Sequence, residues 1–140
     1  ENIQCVALNA EFPLPFQAGS FDRVLVDAPC SGTGTLRHNP EIRWRISAEG
    51  IRDLANRQKQ MLLNAARMVK PGGRLVYSTC SVEPEENEAV VSAFLDESDS
   101  FAPLELKENP SLVTAKGHLR TWPHRDDVDG FFIAAFERRK

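Results

Sequence analysis

Short runs of β-branched and aliphatic residues alternate along this chain with longer stretches of helical period. Residues 3–8 read as a short strand, and Phe21–Asp27, with Val24, Leu25 and Val26 in succession, reads as a buried one. Pro13 and Pro15 make residues 9–20 a loop, and residues 28–39 are a second loop rich in Gly, Ser, Thr and Pro. A helix follows over residues 48–69, with its apolar stripe at Ile51, Leu54, Leu62, Ala65, Ala66 and Val69. Ser47 is its N-cap, although Gly50 stands where a full capping box wants an acid or amide. Pro71-Gly72-Gly73 ends that helix, and residues 74–78 form the next buried strand. A second helix runs over residues 84–95 and buries Ala89, Val90, Ala93 and Phe94. Pro84 occupies its first turn, and Glu85 and Glu86 lie near its positive end. Residues 101–106 are a strand, residues 109–129 are irregular, and residues 131–136 are a last strand with Phe131 and Phe132 on opposite faces. The order strand, helix, strand, helix, strand predicts an α/β fold with a mostly parallel sheet and right-handed crossovers.

Length fits one domain, and 41% hydrophobic residues are enough to build a core. No apolar run approaches the roughly 20 residues that span a bilayer. Glu1-Asn2-Ile3-Gln4 carries no basic region ahead of an apolar one, so no signal-peptide pattern opens the chain. It also opens without Met and already inside a strand pattern, which points to a piece of a longer protein. Three cysteines, an odd number, argue against a disulfide framework and for a reducing cytoplasm. Cys5 falls within the first strand pattern and reads as core filler.

Net charge is −3, which gives no general attraction to nucleic acid. The charges are unevenly spread. Residues 37–74 hold nine Lys/Arg and three Asp/Glu, whereas residues 83–108 hold nine Asp/Glu and one Lys. Such a division makes either a local polyanion-binding face or two solvated helix faces. Arg37, His38, Arg43 and Arg45 surround Trp44, a mixture that suits phosphate contacts and base stacking. The alternative packs Trp44 on the sheet and leaves the arginines in solvent.

The remaining chemistry concentrates at two strand ends. Asp27-Ala28-Pro29-Cys30-Ser31-Gly32-Thr33-Gly34 follows one predicted strand, and Ser78-Thr79-Cys80-Ser81 ends another. Ligands of open α/β sheets bind outside the carboxyl ends of the strands, so two thiols delivered there point to covalent chemistry. The bland alternative for each is a small buried hydrophobe. Several other chemistries fail on spacing. Six residues separate Cys30 from Arg37, one too many for a cysteine phosphatase. The phosphate-binding Gly-rich loop and the third glycine of a dinucleotide fingerprint are absent. No close Cys-x-x-Cys pair offers a metal site, so metal ligands are none. Asp27 ends a strand, either as a ligand contact or as a cap on the next loop. Gly32 and Gly34 permit close approach of a ligand or simply turn the chain.

These two cysteine segments resemble the RNA cytosine-5 methyltransferases of the Sun/Fmu type. The resemblance extends to Val69-Lys70-Pro71-Gly72-Gly73, Pro84-Glu85-Glu86-Asn87-Glu88, Trp122-Pro123-His124 and Asp129-Gly130-Phe131-Phe132. It implies a Rossmann-like class I methyltransferase fold with an antiparallel last strand, here lacking the first strands. It implies S-adenosyl-L-methionine as cofactor and methyl transfer to C5 of a cytosine, more readily in ribosomal than in transfer RNA. Cys80 is then the nucleophile that adds to cytosine C6, Cys30 assists release of the product, and Asp27 contacts the cytosine edge. Asp27, Ala28 and Pro29 would meet the cofactor, with Asn9 near its adenine. Arg37, Arg43, Trp44, Arg45 and His124 would meet RNA, although a structural role for His124 stays open. In this family the sheet order is 3-2-1-4-5-7-6. The chain would then begin near the third strand, lack the Gly-rich cofactor loop, expose the edge of strand 4 to pairing with another chain, and bind the cofactor poorly by itself. A catalytically inactive RNA-binding or ribosome-assembly module of the same fold is the competing reading.

Overall fold

The protein was analysed as a computed structural model that describes residues 2–107 and 109–140. Glu1 and Glu108, the latter the last acid of the 83–108 stretch, lie outside the described residues. The chain forms β1 (Phe21–Asp27), α1 (Ile42–Arg45), α2 (Ala48–Ala66), β2 (Val69–Thr79), α3 (Glu88–Glu97), β3 (Phe101–Leu104), β4 (Leu119–Arg120), α4 (Pro123–Asp126) and β5 (Phe132–Arg138). The strands make one 5-stranded sheet in the order β1-β2-β5-β3, with β4 also beside β5. β1 and β2 are parallel, and β5 runs against β2, β3 and β4. Four strands therefore share one direction and the last opposes them, as expected. The spatial order also reproduces the 4-5-7-6 portion of the sheet implied by the resemblance.

Period-two alternation decides which face of the sheet is buried. Leu75, Tyr77 and Thr79 of β2 and Phe132, Ala134 and Phe136 of β5 are fully buried. Against them pack Leu62, Ala65 and Ala66 of α2 and Val90, Val91 and Phe94 of α3. The Phe94 ring lies 5.0 Å from that of Phe136 and 5.5 Å from that of Phe101, locking α3 over the β5–β3 side. α2 starts at the expected cap, where the Gly50 backbone N–H donates to Ser47 Oγ at 3.0 Å. Phe131 and Phe132 divide between surface and core, as a strand requires.

Several boundaries differ from expectation. Residues 3–8 form no strand, and Ile3, Val6 and Cys5 are exposed. Among the described residues no neighbouring strand takes up their backbone groups, and an unpaired apolar run is not a strand. Cys5 is accordingly not core. β1 is a strand but not a buried one: Val24 and Val26 pack on the core, while Leu25 is 65% exposed. Its only strand neighbour among the described residues is β2. α2 stops at Ala66, because Val69 already pairs with Phe21. Pro71-Gly72-Gly73 lies within β2, where the register jumps from Phe21↔Val69 to Arg23↔Arg74. α3 begins at Glu88 rather than at residue 84, because residues 84–87 form turns that carry Glu86 and Asn87 inward. Ala89 is consequently exposed rather than buried, and Ala93 is only half-buried. β3 ends at Leu104, and the irregular 109–129 region contains β4 and α4. The basic and acidic stretches partly neutralise each other, since Lys59 of α2 pairs with Glu97 of α3 at 2.9 Å.

Truncation of the aromatic ring at the centre of the α3 contact tests this packing. Phe94→Ala should destabilise the chain by about 3–5 kcal/mol, read as a lowered urea midpoint at unchanged far-UV circular dichroism in water.

Candidate active site

The register of β1 on β2 assembles this site. Asp27 sits opposite Ser78, and the Ala28 N–H donates to the Ser78 carbonyl at 2.9 Å. Ser78 Oγ donates to Asp27 Oδ1 at 2.8 Å. Both chains then leave the sheet side by side, and two loops meet beyond its edge. Cys30 Sγ and Cys80 Sγ are 3.3 Å apart. A third loop closes on them. The Gly34 N–H donates to the Cys80 carbonyl at 3.0 Å, and the Gly130 N–H to the Gly34 carbonyl at 2.8 Å. A Cβ on Gly34 would stand 2.0 Å from the Gly130 carbonyl oxygen and 2.8 Å from that of Cys80. Only glycine allows these backbones to touch.

Beneath the sulfurs lies a buried polar cluster. Glu86 is fully buried. Its Oε1 accepts from the Ser31 N–H at 2.8 Å and from Gln58 Nε2 at 2.8 Å. Its Oε2 accepts from Ser81 Oγ at 2.5 Å and from Ser31 Oγ. Four donors from three residues converge on the carboxyl group. Tyr77 OH lies 2.7 Å from the Glu86 backbone carbonyl and 3.2 Å from Gln58 Oε1. Burial first, and then the Glu86 charge, push the Tyr77 phenol up, so it stays a donor. Thr33 Oγ1 accepts from the Val82 N–H at 3.1 Å and lies 3.3 Å from Ser81 Oγ. Thr79 Oγ1 donates to Asn87 Oδ1 at 2.6 Å, and Asn87 Nδ2 donates to the Ser81 carbonyl at 2.8 Å. Every polar atom of this cluster named here has a partner, as burial demands.

Burial first, and next the hydrogen bond with Cys80 and its charge, push the Cys30 thiol up to about 12. Cys30 therefore keeps its proton at neutral pH, and either sulfur can donate in the sulfur–sulfur contact. A sulfur held against a neighbouring S–H has the means to act as a nucleophile whose leaving form is stabilised in place.

The other expected site residues fall into three groups. Asn9, Asp27 and Pro29 line one open cleft of about 500 Å³, which also contains Leu14, Phe16 and Val26. Ala28 is buried beside it, and Asp27 is exposed rather than enclosed. Arg43, Trp44 and Arg45 belong to α1, where Trp44 is 83% exposed rather than packed on the sheet. Arg45 and Cys30 line a second cleft, of about 300 Å³, with Ile42, Ile46 and Leu54. Arg37 pairs with Asp127 at 2.9 Å, and His124 lies against Trp122, the two rings 5.7 Å apart. Sequence reasoning missed Glu86, Ser31, Ser81 and Gln58. The repeated Cys-Ser dipeptide was the available signal for the serines. Gln58 interrupts the apolar stripe of α2 between Leu54 and Leu62, which marks it as a buried amide.

The Cys30 shift makes stability depend on pH. An unfolded thiol ionises near 9.0, whereas folded Cys30 holds its proton to about 12. Between those values the unfolded chain binds fewer protons, so stability falls as pH rises. The Cys30 contribution is complete below pH 9.0 and disappears towards pH 12. The urea midpoint of the unmodified chain should therefore fall more steeply above about pH 9 than that of Cys30→Ala; parallel curves would contradict the assignment.

Known proteins share this architecture. A probable ribosomal RNA small subunit methyltransferase B of Bacillus subtilis is 40% identical over 129 residues, covering 89% of this chain and 29% of the relative. Ribosomal RNA small subunit methyltransferase B of Thermus thermophilus is 43% identical, with coverage of 90% and 31%. The crystal structure of NSun6 from Pyrococcus horikoshii with SFG superimposes with a TM-score of 0.85 at 28% identity, over all of this chain and 35% of that one. The chain thus spans about three tenths of the length of the curated relatives it matches. Residues 1–137 match the family model described as 16S rRNA methyltransferase RsmB/F, and the chain belongs to that family.

Proposed function

We propose that this chain is the C-terminal part of the catalytic domain of an RNA cytosine-5 methyltransferase that acts on small-subunit ribosomal RNA, and that it carries the covalent centre. The contact between the Cys30 and Cys80 sulfurs carries this reading. The names of the relatives supply the substrate class. In the proposed mechanism Cys80 adds as thiolate to C6 of the cytosine, which ends aromaticity and gives C5 the character of an enamine carbon. Bound S-adenosyl-L-methionine supplies the methyl group that C5 takes up. C5 then loses its proton to water, its bonding pair restores the C5–C6 double bond, and the C6–sulfur bond breaks with its pair leaving on the Cys80 thiolate. Cys30 donates its S–H to the departing sulfur, which lowers the energy of the leaving thiolate. Asp27, anchored by Ser78 Oγ, is the contact to the cytosine edge.

The cleft with Asn9, Asp27 and Pro29 offers an amide, a carboxylate and apolar walls from Leu14, Phe16 and Val26. Those groups fit one side of an adenosine-bearing cofactor. Pro29 lines the cleft, and Ala28 is buried beside it. RNA is held by Arg43, Trp44 and Arg45 of α1, next to the cleft that reaches Cys30, with Arg37 and His124 at the margin. No helix of the described residues is long and apolar enough to cross a membrane.

Two experiments test this reading. The full-length protein is incubated with RNA containing 5-fluorocytosine or 5-azacytosine. Cys30→Ala should accumulate a protein–RNA adduct on denaturing gels, and Cys80→Ala should form none. Equal, adduct-free behaviour of both variants would favour a non-catalytic RNA-binding or ribosome-assembly module. Trp44→Ala should weaken RNA binding by about 1–3 kcal/mol if the ring stacks on a base. Stability should change by no more than about 0.5 kcal/mol, since the ring is exposed.

A further inference from the structure

Among the described residues Glu86 is the only fully buried carboxylate, and the chemistry proposed above gives it no task. No cation neutralises it: among the described residues no ion pair includes Glu86. Its burial is costly, and four hydrogen bonds from other groups offset that cost. Where those bonds go is informative. Ser31 directly follows Cys30, and Ser81 directly follows Cys80. Both hydroxyls donate to the same oxygen, Glu86 Oε2. The Ser31 N–H donates to the other oxygen, as does Gln58, whose amide also donates to the Pro29 carbonyl at 3.0 Å. One carboxylate thus grips the residue after each cysteine, and through Gln58 it also steadies the residue before Cys30.

We infer that Glu86 is a positioning residue that ties the two cysteine loops together through Ser31 and Ser81 and so sets the contact between the two sulfurs. This deepens the covalent reading above and rests on it only for its meaning in catalysis. The clamp itself is a property of the protein without RNA or cofactor. Each serine uses its single hydroxyl proton on Glu86 and stays free to accept. Ser81 Oγ does so from the Glu83 N–H at 3.1 Å. An amide at position 86 weakens this scheme: its –NH₂ end can bond the two serines only if both hydroxyls rotate to accept, and the charge that strengthens all four bonds is lost. The two loops are then held less tightly, and the sulfurs separate.

The test reads the sulfurs directly. The full-length protein is treated with iodoacetamide at about pH 8, where thiolate is the reacting form, and well below its melting temperature. Alkylation of Cys30 and Cys80 is followed site by site by mass spectrometry. In the unmodified protein Cys80 should react faster, because Cys30 holds its proton. Glu86→Gln should lower the ratio of Cys80 to Cys30 rates about tenfold, as the thiols lose their mutual contact. The double variant S31A/S81A, which keeps Glu86, should lower it similarly and serves if Glu86→Gln does not fold. A role confined to stability would lower the melting temperature and leave the ratio of the folded protein unchanged. An unchanged ratio in the double variant, or in folded Glu86→Gln, overturns the inference. Because neither RNA nor cofactor is present, absence of methyl transfer would refute the proposed function without touching this result.

Discussion

The parallel register of β1 on β2 is the constraint on which the site depends. Pairing of Asp27 with Ser78 aligns the two strand ends, so that Cys30, three residues on, and Cys80, two residues on, emerge into the same space. A slip of one residue would turn every side chain of β1 to the other face. Val24 and Val26 would leave the core, and Asp27 would lose Ser78 Oγ. Core packing therefore fixes the chemistry indirectly: burial of Val24, Val26, Leu75 and Tyr77 selects the one register that brings the sulfurs together. The antiparallel pairing of β5 on β2 adds the third component, because Thr79 opposite Phe132 sets the segment that holds Gly130 against Gly34.

The proposed covalent centre needs a thiol that keeps its proton, and the surroundings supply it without a cation. Burial and the neighbouring sulfur keep the proton on Cys30. The Glu86 charge lies below, held by hydroxyl, amide and backbone donors. In a low-dielectric interior such a network is strong when every member is satisfied and weak when one is missing. The loops on either side contain Gly, Ser and Thr and little apolar surface of their own. Polar satisfaction, rather than packing, accordingly gives this end of the molecule its rigidity.

What could be read from the sequence divides along the same line. β2, β5 and the body of α2 were legible because dense apolar patterns of period 2 and 3.6 report burial directly. The two cysteine loops were legible because strand ends in an open sheet are where ligands bind. Residues 3–8 misled for a physical reason: Ile3, Cys5, Val6 and Leu8 have strand composition, but pairing is a property of two segments, and the second is not in this sheet. Glu86 was hidden because Glu83, Glu85, Glu86 and Glu88 look alike in sequence, and their proximity to a predicted helix start explained all of them equally well. Only the fold reveals that turns at residues 84–87 carry one of them inward. The start of α3 was misjudged by the same route, since a run of acids after proline satisfies the helix-end pattern whether or not the helix begins there.

The exposed side of β1 connects the fold to the division of labour within the site. Among the described residues β1 has β2 on one side and no strand on the other, and Leu25 and Phe21 stand exposed along it. A bare strand edge bearing apolar groups is a surface that proteins normally cover or pair. Asn9, Asp27 and Pro29, the residues proposed to meet the cofactor, all line the cleft beside this uncovered strand. The sulfur pair is held instead by contacts internal to the chain. On the proposed reading, the nucleophile is therefore preorganised by this chain's own hydrogen bonds, whereas the methyl donor is held in a cleft whose far wall must come from whatever pairs with β1. On that reading the two halves of the reaction meet at Asp27, the residue that ends the edge strand and is hydrogen-bonded to the strand leading to Cys80.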